Sequence, residues 1–485
     1  MTKELRRLSI VMLAMFLSLF IATSWIQVVA ADTLAQNPNN KRTRLDSYEI
    51  QRGSIIVGGT AIASSVPSDD TYQYQRVYQD AAMWAPVTGY FNPALQSSTG
   101  IENAMNADLS GTGSNAFFGE IERIISGQPQ QGLSVELTLD PAAQKAAWDA
   151  LQGYQGAVVA IEPATGRVLA MASTPGFDTN ELASHDATAV NAAHDRLADD
   201  PTNPLYNRAI AGNLNPPGST FKIVVAAAAL ASGDWTMDSE LPNPARYTLP
   251  GTSTSISNAS GTTCGGGETT TIAQALELSC NIPMAELAVE LGDEQIRETA
   301  EKFGFNDQLN IPLEVTSSSY PSSLNEPETA LTGFGQGQVT ATPLQMAMVA
   351  AGIANDGVVM TPRMVDRVIG DDFAVHREYE NTVYQQVLDA ADAAAITEAL
   401  VSGVDSGAAT GARIDGVDVA GKTGTAQNGD SRPYTLWFTG SAPADNPQVA
   451  VAVVVEDGGG KGQSGSGNGI AAPIAKKVIE AVLGR

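Results

Sequence analysis

The chain has 485 residues, 43% hydrophobic and 16% charged, a globular composition with material for more than one domain. Its formal net charge is −26, from 27 basic against 53 acidic side chains, which excludes nucleic acid as a natural partner and excludes charge as the means of holding an anionic membrane. The three histidines, His185, His194 and His376, form no HxxxH-type pair, so neither a metal centre nor a Ser-His-Asp triad is expected, and no cofactor.

At the N-terminus, Lys3, Arg6 and Arg7 precede an uncharged apolar run over 9–31. That run is long enough to cross a bilayer, which takes about 20 residues. Basic residues before it and none directly after put residues 1–8 in the cytoplasm and the rest outside. Val29-Ala30-Ala31 also fits a signal-peptide cleavage site, but the length of the run favours an uncleaved anchor. Either way the remaining chain is extracytoplasmic. Residues 32–132 are polar, with short alternating patterns around Ile50, Ile55 and Val57, and read as an extended juxtamembrane domain.

From 133 to 485 the pattern is regular. Val135, Leu137 and Leu139 alternate as a strand, and Asp140-Pro141 caps and opens a helix. Two apolar runs flank Pro163-Ala164-Thr165-Gly166 as a β-hairpin. Ser219 to Ala231 reads as a buried helix, and Thr271 with Gln274 as a capping box opening another. Three successive strands follow in GKTGTAQ, YTLWFTGSAP and QVAVAVVVED. Residues 458–469 are nearly all small and polar, a flexible loop, and 470–483 form a closing amphipathic helix. This order argues an α+β domain with an antiparallel sheet.

The chemistry concentrates in three short motifs. Ser219 and Lys222 form an S-x-x-K after Pro216-Pro217-Gly218, so both lie on one face at a helix start. A serine hydroxyl needs a base, and a desolvated lysine can serve as one. Alone, this pair equally describes a capping serine and a surface lysine. Ser279 and Asn281 form S-x-N after the second helix, and Lys422-Thr423-Gly424-Thr425 sits on a strand, where Gly424 would let a substrate backbone approach. Together, in this order, the three frame one groove. Cys264 and Cys280 lie 16 positions apart, a spacing that suits a disulfide-closed loop and equally two unpaired thiols.

These motifs, with the runs NPPGSTFK, LSCN, TGFGQGQVTATPLQMA, VAGKTGTAQ and YTLWFTGSAP, resemble the class B penicillin-binding proteins, and among them the actinobacterial penicillin-binding protein A group. NPNNKRTR…QRGSI and VTGYF resemble that group's juxtamembrane region. The resemblance implies a penicillin-binding/β-lactamase-like transpeptidase domain, a five-stranded antiparallel sheet flanked by helices. It implies that Ser219 attacks the D-Ala–D-Ala carbonyl of a peptidoglycan stem peptide, with Lys222 as general base. Ser279 would relay a proton to the leaving D-alanine, and Asn281 would hold Lys222 and the substrate amide. Lys422 would supply positive potential, Thr423 and Thr425 would bind the substrate carboxylate, and backbone N–H groups of Ser219 and Thr425 would form the oxyanion hole. β-Lactams would acylate Ser219, and a polytopic glycan polymerase is the implied membrane partner. A Cys264–Cys280 disulfide would then stiffen the S-x-N loop. A D,D-carboxypeptidase and a class D-like β-lactamase share these motifs, and a non-catalytic penicillin-binding scaffold of the division machinery is a further alternative. The long N-terminal region argues against a small secreted hydrolase, and the single apolar span against a sensor.

Overall fold

A computed structural model describes residues 2–30, 34, 50–112, 131–212, 214–429 and 431–485. The apolar N-terminal run forms α1 (Thr2–Ser24), continued by a π-helical turn over Trp25–Val29. From Lys3 to Val29 it is a 27-residue helical segment of mean hydropathy 2.1, none of whose most apolar stretch is buried against the rest of the chain. At a rise of about 1.5 Å per residue, this length exceeds a hydrocarbon core of about 30 Å. It is compatible with one membrane-spanning anchor.

Strands β1 (Ile55–Val57), β2 (Thr60–Pro67) and β3 (Tyr74–Tyr78) form an antiparallel meander. Next come β4 (Ser134–Leu137), α2 (Pro141–Leu151), β5 (Gly156–Ile161) and β6 (Val168–Thr174). As expected, Asp140 caps α2 by accepting from Ala143 N, and β5 and β6 pair as a hairpin. Helices α3 (Lys222–Ser232), α4 (Ile272–Glu277), α5 (Ile282–Lys302, interrupted at Gly292) and α6 (Pro343–Ala354) follow. Then come β7 (Val365–Ile369), β8 (Val375–Glu378), α7 (Ala390–Asp405), β9 (Ala420–Ala426), β10 (Thr435–Ala442), β11 (Val449–Val455) and α8 (Ala471–Val482).

The central sheet is five-stranded and antiparallel, in the order β9-β10-β11-β5-β6. Both faces are covered, which is why β11 is apolar throughout rather than alternating. Val451 and Val453 face α2 and α8 through Ala143, Leu151, Ile474 and Val478. Ala450, Ala452 and Val454 face the layer of α3, α6 and α7. Helix α3 lies deep in that layer, with every side chain from Lys222 to Leu230 buried. Alanines dominate it because neighbours pack close on all sides.

A second sheet, in the order β8-β7-β4-β1-β2-β3, crosses the boundary expected at 132/133. Strand β4 pairs parallel with β1 and antiparallel with β7, so segments far apart in the chain share one sheet. Beneath it Glu102 accepts from Arg52 Nη2 at 2.8 Å, from Arg76 Nε and from Tyr78 OH at 3.2 Å, all buried. Arg52 also stacks over the Phe91 ring at 3.9 Å. Two expectations are refined. The loop expected at 458–469 carries two short 3₁₀ turns, Asp457–Gly460 and Gly462–Ser464, which its small residues did not announce. The capping box at α4 is half made: Thr271 accepts from Gln274 N, but the Gln274 side chain turns to Thr270 Oγ1 at 2.7 Å.

Candidate active site

Pro216-Pro217-Gly218 turns the chain sharply, with Gly218 at φ +56° and its N–H donated to Gly335 O at 2.9 Å. Ser219 lies in a 3₁₀ turn, Gly218–Phe221, rather than in the α-helix itself. That turn leaves Ser219 partly exposed while Phe221 is buried against the rings of Phe305 and Tyr320. Lys222, first residue of α3, is fully buried. Its Nζ hydrogen-bonds Ser279 O at 2.8 Å, Ser279 Oγ at 3.4 Å and Asn281 Oδ1 at 2.8 Å. Burial first, and then the like charge of Lys422, hold its pKa well below the usual lysine range. Both effects shift the balance toward the neutral amine, whose lone pair can accept a proton.

The S-x-N segment owes its position to a helix ending. Helix α4 closes with two hydrogen bonds, Ser279 N to Leu276 O at 3.3 Å and Cys280 N to Ala275 O at 2.9 Å. This is a Schellman motif, in which the residue at Ser279 takes a left-handed conformation usually given to glycine. Ser279 adopts it at φ +61°. The strain costs roughly 1–2 kcal/mol and turns the Ser279 carbonyl and hydroxyl toward Lys222. Cys280 is bonded to Cys264, with Cα atoms 5.7 Å apart. Asn281 and Ile282 begin α5, and the side chain of Asn258 caps that start from outside the helix. Asn258 is 3% exposed; its Oδ1 accepts from Asn281 N at 2.9 Å and Ile282 N at 3.1 Å, and its Nδ2 donates to Thr262 O at 3.1 Å.

The K-T-G segment lies on β9, an edge strand of the central sheet. Lys422 is 1% exposed, donates to Thr423 O at 3.2 Å, and burial brings its pKa down to about 7. Gly424 is required by packing: a Cβ there would stand 2.8 Å from Pro217 O and 3.1 Å from Trp437 Cβ. Glycine is thus what lets β9 lie against the Ser219 turn. Thr423 is 7% exposed and donates its hydroxyl to Ala408 O at 3.0 Å; two positions apart on one strand, Thr423 and Thr425 share a face of the sheet. Thr425 is exposed, and its Oγ1 accepts from Gly467 N at 3.2 Å.

Comparison with known proteins accords with this geometry. Residues 156–480 match the penicillin binding protein transpeptidase domain, and residues 52–135 match the penicillin binding protein A dimerisation domain. The chain belongs to the penicillin-binding protein transpeptidases. It is 39% identical over 491 residues to the peptidoglycan D,D-transpeptidase PbpA of Mycolicibacterium smegmatis, covering 100% of this chain and 99% of that one. It also resembles the solved structure of penicillin-binding protein A from M. tuberculosis as a ceftriaxone acyl-enzyme, with TM-score 0.87 and 38% identity over 90% of this chain and 100% of that chain. The penicillin G acyl-enzyme of the same M. tuberculosis protein gives TM-score 0.84 at 37% identity, covering 90% of this chain and 100% of that chain.

In this penicillin-binding protein Lys222, Ser279 and Asn281 meet around one nitrogen, and Gly424 packs on the turn that carries Ser219. Two contributors lie outside the three motifs. Asn258 sits in a polar run, SISNAS, like any turn residue. The run TGFGQG supplies Gly335, where a Cβ would stand 2.0 Å from Gly218 O. That contact explains the glycine and shows the run to be the backing of the turn that carries Ser219.

Proposed function

We propose that this penicillin-binding protein is a peptidoglycan D,D-transpeptidase working through an acyl-enzyme on Ser219. Ser219 Oγ attacks the carbonyl carbon between the terminal D-alanines, and its proton passes to Lys222 Nζ. As the C–N bond breaks, that proton reaches the leaving nitrogen by way of Ser279, and D-alanine departs. An amine from a second stem peptide then attacks the acyl carbon, loses a proton to Lys222, and Ser219 Oγ regains it. The carrying observation is the set of Lys222 contacts at 2.8–3.4 Å with Ser279 and Asn281, in a buried setting that favours the neutral amine. Asn281 fixes the base in position. Lys422 supplies positive potential for the substrate carboxylate, and the exposed Thr425 hydroxyl is the better placed of the two threonines to bind it. Backbone N–H groups of Ser219 and Thr425 stabilise the oxyanion.

The anchor's basic N-terminal flank, Lys3, Arg6 and Arg7, supports a cytoplasmic N-terminus with the catalytic domain outside. The resemblance to this family is what points to a polytopic glycan polymerase as membrane partner; co-purification in mild detergent tests it. For the reaction itself, the full chain is given a stem pentapeptide ending in D-Ala–D-Ala and a labelled D-amino acid as acceptor. Release of D-alanine with label incorporated supports transfer. Release without incorporation makes the protein a carboxypeptidase, and rapid turnover of a labelled penicillin makes it a β-lactamase.

A further inference from the structure

This inference rests on the transpeptidase reading and concerns which donor the same site accepts. Strand β9 is paired with β10 from Ala420 to Ala426, and its other edge is the side open to an added strand. In an antiparallel strand the backbone N–H and C=O of successive residues turn alternately into the sheet and out of it. Just past β9, the side-chain amide of Gln336 faces both backbone groups of Gln427; assigned in the orientation that satisfies both, its nitrogen donates to Gln427 O and its oxygen accepts from Gln427 N, each at 3.2 Å. The two groups it faces fix the orientation of that amide. The pattern is that of one residue of an added strand.

By the same alternation, Thr425, two residues earlier, turns its backbone to the same open edge. The Ser219 turn stands beside it: a Cβ on Gly218 would lie 3.3 Å from Ala426. Gly335 at φ +69° and Gly337 at φ +79° flank Gln336, and Gly335 O accepts the Gly218 N–H at 2.9 Å. A donor whose C-terminal carboxylate is drawn toward Lys422 must run its N-terminal residues past Thr425 toward Gln427.

We propose that Gln336 is a specificity-determining residue, an end stop that occupies the strand-pairing groups of Gln427 and limits how far a donor peptide pairs along β9. A short donor ends before Gln427. A longer one must displace both Gln336 hydrogen bonds or leave the edge.

The test compares two donors on the full chain in detergent: an N-acylated D-Ala–D-Ala dipeptide and a stem pentapeptide. The readout is the ratio of kcat/KM, pentapeptide over dipeptide. Gln336→Ala is expected to raise the ratio about tenfold. Gln336→Glu keeps the shape and one of the two bonds, and should fall between. A purely structural role lowers both donors together and leaves the ratio unchanged, which overturns the proposal. A fall in the ratio overturns it too, because Gln336 would then be a donor ligand. Wild-type protein that turns over neither donor contradicts the transpeptidase reading itself, a result distinct from either ratio outcome.

Discussion

Asn258→Ala perturbs the site without touching any of its three motifs. Asn258 gives Asn281 N and Ile282 N their acceptor and ties Thr262 O to the same point. Alanine leaves two buried N–H groups at the start of α5 unpaired, at about 1–3 kcal/mol each if water does not enter. Partial hydration brings the expected loss of stability to about 2–4 kcal/mol. Part of that loss falls on the position of Asn281, whose Oδ1 holds Lys222 Nζ at 2.8 Å. If misplacement costs the acylation transition state only about 1.4 kcal/mol, acylation slows tenfold. The assay is the rate of labelling by a fluorescent penicillin, beside thermal unfolding of the same sample. Asn258→Asp is the companion variant. Its carboxylate still accepts from both N–H groups and suits a helix N-terminus, so it should recover much of the lost rate. An alanine variant that unfolds earlier yet acylates within about twofold of wild type would refute the reasoning.

Lys222→Ala should slow acylation by about 10²–10⁴-fold while near-ultraviolet circular dichroism stays native; a near-normal rate removes the base assignment. Lys422→Met tests the buried charge through pH. With the native pKa near 7 and the usual value at 10.5, the unfolded chain binds a proton that the native chain lacks across that window, so wild-type stability rises as pH rises through it. The variant should therefore gain most in Tm below pH 7 and lose the advantage toward pH 10.5; a gain independent of pH refutes it. Replacing both Cys264 and Cys280 by serine opens a loop of sequence separation 16 and should cost about 3 kcal/mol in denaturant unfolding. Two reactive thiols in folded, unreduced wild-type protein would contradict the bond.

Local signals carried the central domain. The Pro163–Gly166 turn between apolar runs, the Asp140 cap and the unbroken valines of β11 each announce their element within a few residues. The six-stranded sheet had no such announcement, because β1 pairs with β4 and β4 with β7 across long stretches of chain. Pairing at that range leaves no periodicity to read. The site divides in the same way. Ser219, Lys222, Ser279, Asn281 and Lys422 are legible because the motifs fix their residue types. The left-handed backbone of Ser279 is not, since nothing in LSCN separates it from a helical serine. Gly424 was read for its freedom, but its packing against the chain's own Pro217 is not visible in K-T-G. Thr423 and Thr425 look equivalent in K-T-G-T, and only their surroundings, the carbonyl of Ala408 against the N–H of Gly467, distinguish them.

The central claim is that Ser219 is the acylated nucleophile. Intact-mass spectrometry of the full chain after brief exposure to penicillin G, followed by peptide mapping, tests it most directly. The account predicts one adduct with the mass of an intact penicillin, because ring opening expels no group, carried on the peptide containing Ser219 and absent from Ser219→Ala. An adduct that persists in Ser219→Ala, or maps to another peptide, would contradict it.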